Sequence, residues 1–559
     1  MTLGPKGFVI LLRIIAATAV ICVFAMLAML IIASFSPKSE FGAWTLANYI
    51  DMAGMRQLWP AIFNTLVVGI GTTTFLLMFA LPFTWVLSRT DFASKGVLLT
   101  ILTVSLALPA FVTAMAYVWL LNPNSGIFNR LLESAFGWSR VFNVYSLGWI
   151  CFIQALMLTP AAVFMMLPAF RNFDSTLEEA ASVSGISPRR AFFKIVLPTL
   201  APAVGAVSIF FFILAVEIFD VVGVIGMPGN IDVITTLVYQ STYTVYGPPD
   251  YGFAATLGMP LLALCAIGVL IYLWLLRRAD RYSMLSGKNR APILRDLGRW
   301  RFAVWGLIGT WGTLAVVLPL LTVIWTSLTP YLQPPSMAAL SQLSFSSYRG
   351  AAGLVWAPFV NTILLVIGTI VFSIVWSVSV SWLATRVRSK IDKALDAIVF
   401  LSLAVPGMLA AVAMQFLALS AYHWVPLLGT LWLIIITMAI RSLAFTTRTL
   451  NSSALQIHSS LEEAAYVSGV GRMRTFLRIF LPVIKPAIMF AVLVTTLISA
   501  RELTIPLMLY SPRSSVISTT IFDLQATGRY DEAAVFSLLI IAILLVLALA
   551  SRRRTAPIA

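Results

Sequence analysis

The stretch LEEAASVSGISPRRAFFKIVLPTLAPA at residues 177–203 returns as LEEAAYVSGVGRMRTFLRIFLPVIKPA at residues 461–487, without a gap, at an offset of 284. Fifteen of the 27 positions are identical, far beyond coincidence even in a compositionally narrow chain. Two shorter matches lie upstream. FNTLVVGIGTTTF (63–75) pairs with VNTILLVIGTIVF (360–372), and VSLALPA (104–110) with LSLAVPG (401–407), both at an offset of 297. The 13 residues between the two offsets form an insertion in the first half, near 121–146, whose counterpart near 421–428 is short. Loops absorb such length changes at small entropic cost. The chain is a tandem repeat.

Composition places the repeat in a membrane. Of 559 residues 60% are hydrophobic and only 10% are charged, with a mean hydropathy of +0.96. A soluble domain carries about 25% charged residues, so that class is excluded, as are disordered and fibrous chains. A membrane-crossing helix needs about 20 mostly apolar residues. Runs of that kind lie near 8–33, 61–87, 97–121, 146–168, 200–223 and 252–276, then 302–328, 358–384, 395–420, 428–447, 484–508 and 534–550. The fold class is therefore an all-α polytopic membrane protein of about twelve transmembrane helices. Six spans per half is an even number, so the two six-helix repeats share one orientation and are parallel. Their expected extents are 1–285 and 286–559. A fused pair of this kind does in one chain what a homodimer does with two, with a pathway at the interface.

Lysine and arginine set the orientation. One side, holding both termini and the segments near 88–96, 169–199, 277–301, 385–394 and 446–483, carries 29 of the 37 basic residues; the other carries 8. The positive-inside rule assigns the first side to the cytoplasm. The basic run from Arg277 to Arg301 and the tail Arg552-Arg553-Arg554 read as anchors on that side. The formal charge of +16 thus reports topology, and no nucleic-acid partner is expected; membrane lipid surrounds the chain. The expected location is a bacterial inner membrane, multi-pass, with both termini cytoplasmic. The first span exceeds a signal peptide's apolar core and lacks a convincing cleavage site, so it reads as retained. Cys22, Cys151 and Cys265 all sit in apolar runs and suggest neither disulfides nor a zinc site.

The shared polar stretch falls on the cytoplasmic side. Glu178, Glu179, Ala180 and Ala181 are good helix sequence with acidic residues early, where the helix dipole favours them. Asp174 or Ser175 could cap that helix, as Ser459 or Ser460 could in the second half. Gly185 and Gly469 stand where a helix would end and reverse. A second short helix then carries Arg190 and Lys194, or Arg474 and Arg478. Pro198 and Pro482 come next, at first-turn positions of the fifth span of each half. The expected shape is a pair of short helices on the inner membrane face, where alanine permits close approach. One copy would read equally well as a plain interfacial hairpin, but two copies at fixed spacing suggest a shared partner.

The pattern Glu-Ala-Ala, three residues, Gly, nine residues, Ile-x-Leu-Pro resembles the signature loop of permease subunits in binding-protein-dependent ABC importers. It reads Glu179-Ala180-Ala181, Gly185, Ile195, Leu197-Pro198, and again Glu463-Ala464-Ala465, Gly469, Ile479, Leu481-Pro482. The resemblance implies that the loops 174–198 and 458–482 couple to two cytoplasmic ABC ATPase subunits. It also implies a periplasmic substrate-binding protein on the opposite face. The fused two-half arrangement is similar to the ferric-iron transport permeases. Related permeases serve thiamine, phosphonate or polyamine, and the sharp motifs report coupling rather than cargo.

Enzyme chemistry finds no support. The sequence has no GxxxxGK[ST] loop, so ATP hydrolysis falls to a partner. His423 and His458 have no metal-ligand spacing, and no cofactor is expected. Ionisable residues at depth each need a reason, at about 2.5–3.5 kcal/mol on insertion scales. Glu217 and Asp220 in the fifth span, and Arg501 and Glu502 in the eleventh, are candidates for a pathway or gate. At an offset of 285 Glu217 matches Glu502. The competing reading is an ion pair or helix-end group that keeps the halves in register. Arg13 and Arg441 would snorkel to the inner face. Tyr239, Tyr243, Tyr246 and Tyr251 form an outer group that reads as an interfacial belt or docking surface sooner than as ferric ligands.

The expected function is the permease of an ATP-driven importer working by alternating access, with ferric iron as the leading cargo. A twelve-span secondary transporter is the rival class, explaining the repeat but not the paired loops. A cysteine introduced at Ser286 should react with membrane-impermeant reagents only from the cytoplasmic side. Labelling from outside would overturn the orientation of every loop together.

Overall fold

Two prolines from the matched upstream stretches decide the course of one span in each repeat. The computed structural model describes residues 5–39, 41–173, 176–243, 249–283, 294–458 and 460–555. Ten helices there are long and apolar enough to cross a membrane, and two bent helix pairs bring the number to twelve if each pair is one span. The bent pairs are Lys95–Ser105 with Ala110–Leu121, at 90°, and Lys390–Ala404 with Gly407–Ser420, at 109°. Proline has no N–H to give and pushes the preceding residue to extended backbone. Val405 accordingly sits at φ −93° and ψ 115° before Pro406, and Pro109 holds φ −62° and ψ 141° ahead of its helix. The spans expected at 97–121 and 395–420 are thus bent midway rather than straight. Arg441 does not snorkel: it donates to the carbonyl of Val405, which the bend deprives of a helical donor.

The fifth span of each repeat also breaks. Leu197–Glu217 and Leu481–Arg501 stop at the extended residues Ile218 (ψ 120°) and Glu502 (ψ 129°). The short helices Asp220–Ile225 and Thr504–Leu509 come after the breaks.

Packing divides the chain into two compact units. The first holds residues Met1–Met55, Val238–Leu262 and Ala352–Asp523. Trp356–Trp382 lies against Leu431–Gln456 in its core, and Leu481–Arg501 packs on both. Buried Thr369, Ser373, Ser377 and Ser381 line Trp356–Trp382, and small residues let membrane helices approach closely. Ser377 shares a hydroxyl hydrogen bond with Thr446 (2.5 Å) and accepts another from Thr447 (3.0 Å). Pro5–Ser34, from the first repeat, packs against Gly407–Ser420 and Trp356–Trp382. Arg13 meets Asp392 here, Nε to Oδ1 at 3.0 Å and a second nitrogen to Oδ2 at 3.1 Å. Asp392 is 0% exposed, so this arginine is held by an ion pair where snorkelling was expected.

The second unit holds Arg56–Leu237, Ala263–Ala351 and Leu524–Ala559. Its core is Leu58–Arg89 against Leu147–Arg171, with Leu197–Glu217 on both. A Cβ at Gly71 would stand 2.7 Å from the sulfur of Cys151, so only glycine allows that helix contact. Buried Gln154 crosses it, donating to the carbonyl of Ala215 at 3.0 Å. Leu318–Leu328 and Tyr530–Thr555, both from the second repeat, pack here, and Tyr117 donates to the carbonyl of Leu314 at 2.8 Å. Each unit therefore takes helices from both repeats. The inserted segment of the first repeat folds into the extra helix Ile127–Phe136.

The Asn-Thr pair of the first matched stretch has a structural task in both repeats. Thr65 and Thr362 accept the backbone N–H of Ile234 and of Ile517, each at 3.0 Å. Asn64 donates to the carbonyl of Asp232 (2.8 Å), and Asn361 to that of Ser515 (2.9 Å). The start of one span thereby fixes the loop that comes after the fifth. Thr65→Val and Thr362→Val keep the side-chain shape but orphan a buried amide, costing about 1–3 kcal/mol each. The check is amide hydrogen exchange: protection at Ile234 or Ile517 should fall in the matching variant and stay unchanged in the other.

Candidate functional site

Each signature loop begins with an eight-residue helix, Thr176–Val183 in the first repeat and Ser460–Val467 in the second. Glycine ends both. Gly185 lies at φ +72° and Gly469 at φ +76°, a left-handed conformation that suits glycine alone. The N–H of Ile186 reaches back to Ala181 and that of Val470 to Ala465, both at 2.9 Å, which satisfies carbonyls left open by the helix end. A Cβ at either glycine would meet nothing within 4 Å. The space around these turns is open.

Beyond each glycine the chain departs from the expected second short helix. Residues 188–217 and 472–501 are helical without interruption, so Arg190, Lys194, Arg474 and Arg478 ride on the start of the fifth span itself. Pro198 and Pro482 are consequently within a continuing helix. A wide, π-type turn precedes each, at Phe192–Val196 and Phe476–Phe480. Such a turn accommodates the missing proline N–H and the ring's clash with the preceding turn.

The short helices have an inner and an outer face. Ala181 and Ala465 are buried, as are Glu178 and Glu462. Ala180, Ala464 and Glu463 are exposed, whereas the side chain of Glu179 lies outside the described residues. Spacing of three places Leu177, Ala180 and Val183 on one exposed stripe, and Leu461, Ala464 and Val467 on its counterpart. Val183 is 91% exposed and Val467 90%. An uncovered apolar stripe repeated at matching positions suits a partner. Of the capping candidates, Asp174, Ser175 and Ser459 lie outside the described residues.

Two arginines hold these helices. Arg89, last residue of Leu58–Arg89, is 1% exposed, and one nitrogen reaches Glu178 Oε2 at 3.2 Å. The same guanidinium donates to the carbonyls of Phe170 (3.1 Å) and Phe173 (2.7 Å), where the fourth span ends, and lies over the Phe173 ring. In the second repeat Arg386 meets Glu462 at 2.5 Å, donates to the carbonyls of Ala454 (3.2 Å) and Ile457 (3.4 Å), and lies over Phe480. Arg89 and Arg386 are related by the offset of 297, and the glutamates and carbonyls by 284. Sequence reasoning passed over this set, although the two offsets carried the signal. Arg295, expected to be a membrane anchor, also reaches Glu178, at 3.0 Å. Its backbone pairs with the chain beside Arg89: the N–H of Arg295 bonds Arg89 and its carbonyl accepts from Asp91, both at 3.0 Å.

The charged residues of the fifth spans stand at the helix breaks. Buried Glu217 ends one helix and half-buried Asp220 opens the next, in the second unit. Arg501 ends its helix and Glu502 occupies the extended break, in the first unit. The helices Leu197–Glu217 and Leu481–Arg501, and the short helices after them, keep the offset of 284 at both ends. The structural counterpart of Glu217 is therefore Arg501, and the match with Glu502 at 285 is a coincidence of neighbours. The repeat places opposite charges at one position.

Among the tyrosines expected to form an outer group, Tyr239 and Tyr243 stack at 4.8 Å and Tyr243 donates to the carbonyl of Leu507 at 3.1 Å. Tyr251 accepts from Gln415, and Tyr246 lies outside the described residues. Burial pushes the Tyr243 phenol up to about 12, so it stays protonated at neutral pH, unlike a ferric-binding phenolate. Among the described residues no three His, Cys, Asp or Glu side chains are grouped to hold a metal ion.

Comparison with known proteins agrees with the paired loops. The family model for binding-protein-dependent transport system inner membrane components matches twice, at residues 80–281 and 373–553. The chain is 24% identical to the ferric transport system permease protein of Actinobacillus pleuropneumoniae, over 89% of this chain and 70% of that protein. It is 27% identical to a protein of Haemophilus influenzae named as a candidate ferric transport system permease, over 77% of this chain and 66% of that protein, just under two thirds of its length. A Salmonella choleraesuis protein named as a candidate 2-aminoethylphosphonate transport system permease is 25% identical over 37% of this chain and 73% of its own. With both copies of the family domain in one polypeptide, the chain belongs to the inner membrane components of binding-protein-dependent transport systems, as a fused, two-half ABC permease.

Proposed function

We propose that the chain moves ferric iron from a periplasmic binding protein to the cytoplasm by alternating access, driven by ATP hydrolysis on two separate cytoplasmic ABC ATPase subunits. The observation that carries this reading is the pair of short helices with identical glycine turns and the same exposed Leu-Ala-Val stripe. On it, Glu179, Ala180, Ala181, Gly185 and Pro198 form one docking loop and Glu463, Ala464, Ala465, Gly469 and Pro482 the other. The repeats are taken as 1–285 and 286–559, and the 29-to-8 split of basic residues supports docking loops and termini in the cytoplasm. Glu217, Asp220, Arg501 and Glu502 are assigned to the pathway or its gate, since buried or half-buried charge at helix breaks is costly without a function. Iron is favoured because the ferric permease relatives align over most of the chain; the phosphonate relative, which supports a second cargo reading, aligns over less than one repeat.

Energy coupling separates this function from a secondary transporter. Uptake should require the ATPase, and the purified chain alone should hydrolyse no ATP. Uptake by the lone chain in proteoliposomes under a proton gradient would support the secondary transporter instead.

The docking turns give a graded test. Gly185→Ala and Gly469→Ala add only the left-handed backbone strain, about 1–2 kcal/mol per site. Gly185→Trp with Gly469→Trp also fills the open space that a partner would need. ATPase recovered per permease should fall modestly in the alanine pair and be lost in the tryptophan pair, with membrane insertion unchanged in both. Full recovery and uptake with both tryptophans would reduce the loops to structural hairpins.

A further inference from the structure

The two adjacent glutamates of each signature loop do different work. Glu178 and Glu462 point inward to Arg89 and Arg386, while Glu463 is exposed beside the apolar stripe. Each arginine gathers three elements: it ends or closely trails the helix starting at Leu58 or Trp356, it binds carbonyls at the end of the fourth span, and it grips the docking helix. Those carbonyls are the negative end of a helix, and the glutamate sits near the positive start of the next. A planar guanidinium with five donors satisfies both at once, which the point charge of lysine cannot.

We propose that Arg89–Glu178 and Arg386–Glu462 are positioning ion pairs that make each docking helix move as one piece with the inner ends of its two spans, so that ATPase motion reaches the transport pathway. Without them only the short chain segments at its two ends would tie the docking helix to its spans, and partner movement would be absorbed in the loop. This inference rests on the docking role of the loops. It adds that Glu178 and Glu462 serve transmission and contribute nothing to the docking contact itself.

The test uses the full chain reconstituted with the ABC ATPase and the binding protein that the proposed function requires. Three quantities are read: ATPase bound per permease, the KM for ATP, and uptake of radioactive Fe(III) per ATP hydrolysed. In Glu178→Ala with Glu462→Ala, the first two should match wild type while uptake per ATP falls roughly tenfold or more. Glu178→Gln with Glu462→Gln keeps one accepting oxygen at each site and should fall less, about threefold. If the alanine pair does not insert, the glutamine pair decides. Wild-type uptake per ATP in the glutamine pair together with any inserted alanine pair would overturn the proposal, as would loss of ATPase binding in step with uptake. Failure of the wild-type chain to bind the ATPase is a distinct result, which would instead remove the docking reading. If the wild-type complex binds ATPase but moves no iron, stimulation of ATP hydrolysis by the binding protein replaces uptake as the coupling readout, with the same expected fall.

Discussion

A guanidinium taken out of water must find an anion and enough acceptors, or it costs several kcal/mol. Arg89 and Arg386 meet that demand in the same way in each repeat, and one end of each bundle is arranged around them. A carboxylate on the short helix supplies the countercharge, and carbonyls at the foot of the fourth span supply the remaining acceptors. Neither set of acceptors would be available if the fourth span ran further or if the short helix turned the other way. The ion pair therefore constrains where a span stops, how the chain reverses and which face of the short helix is left bare. The bare face is the apolar stripe, and its exposure is set by the burial of the glutamate on the other side.

Much of this was legible in the sequence, because membrane composition and a gapless repeat are strong signals. The twelve apolar runs correspond to ten helices and two bent pairs, and Gly185 and Gly469 end helices where an αL cap was expected. The departures have identifiable causes. Pro109 and Pro406 lie within long apolar runs, and hydropathy does not register a missing N–H. Pro198 and Pro482 suggested helix starts, but a wide turn can carry a helix through such a point. Arg89 and Arg386 were counted only as positive charge on one side, and Arg295 was read as part of an anchoring run; neither reading carries information about partners. Glu217 was matched one position out because local likeness to Glu502 outweighed the register kept by the helices.

The repeats are alike in their devices and unlike in their details. Both use Asn-Thr to hold the loop after the fifth span, proline to bend the third span and an arginine to hold the short helix. The first alone has the inserted helix Ile127–Phe136, and its Glu178 is shared with Arg295 from the segment joining the repeats. At the fifth-span break the repeats carry Glu217 and Arg501, opposite charges in equivalent places. Symmetry of framework thus goes with asymmetry of charge at this break.

Arg13 and Asp392 have a bearing on how such a chain could have arisen. The first helix of the first repeat finds its countercharge in the second repeat, within one packed unit. The helices Lys95–Ser105 and Lys390–Phe400 keep an offset of 295 at both ends, and each has a serine before its first residue, so the counterpart of Asp392 in the first repeat is Val97. Were two copies of the first repeat to assemble alone, Arg13 would meet an apolar side chain where it now meets a buried aspartate. Pairing with the second repeat supplies a carboxylate that the first repeat does not carry at that place. A countercharge held by one half for the other favours the unlike pair over the like one, and fusion keeps the unlike pair in a single chain.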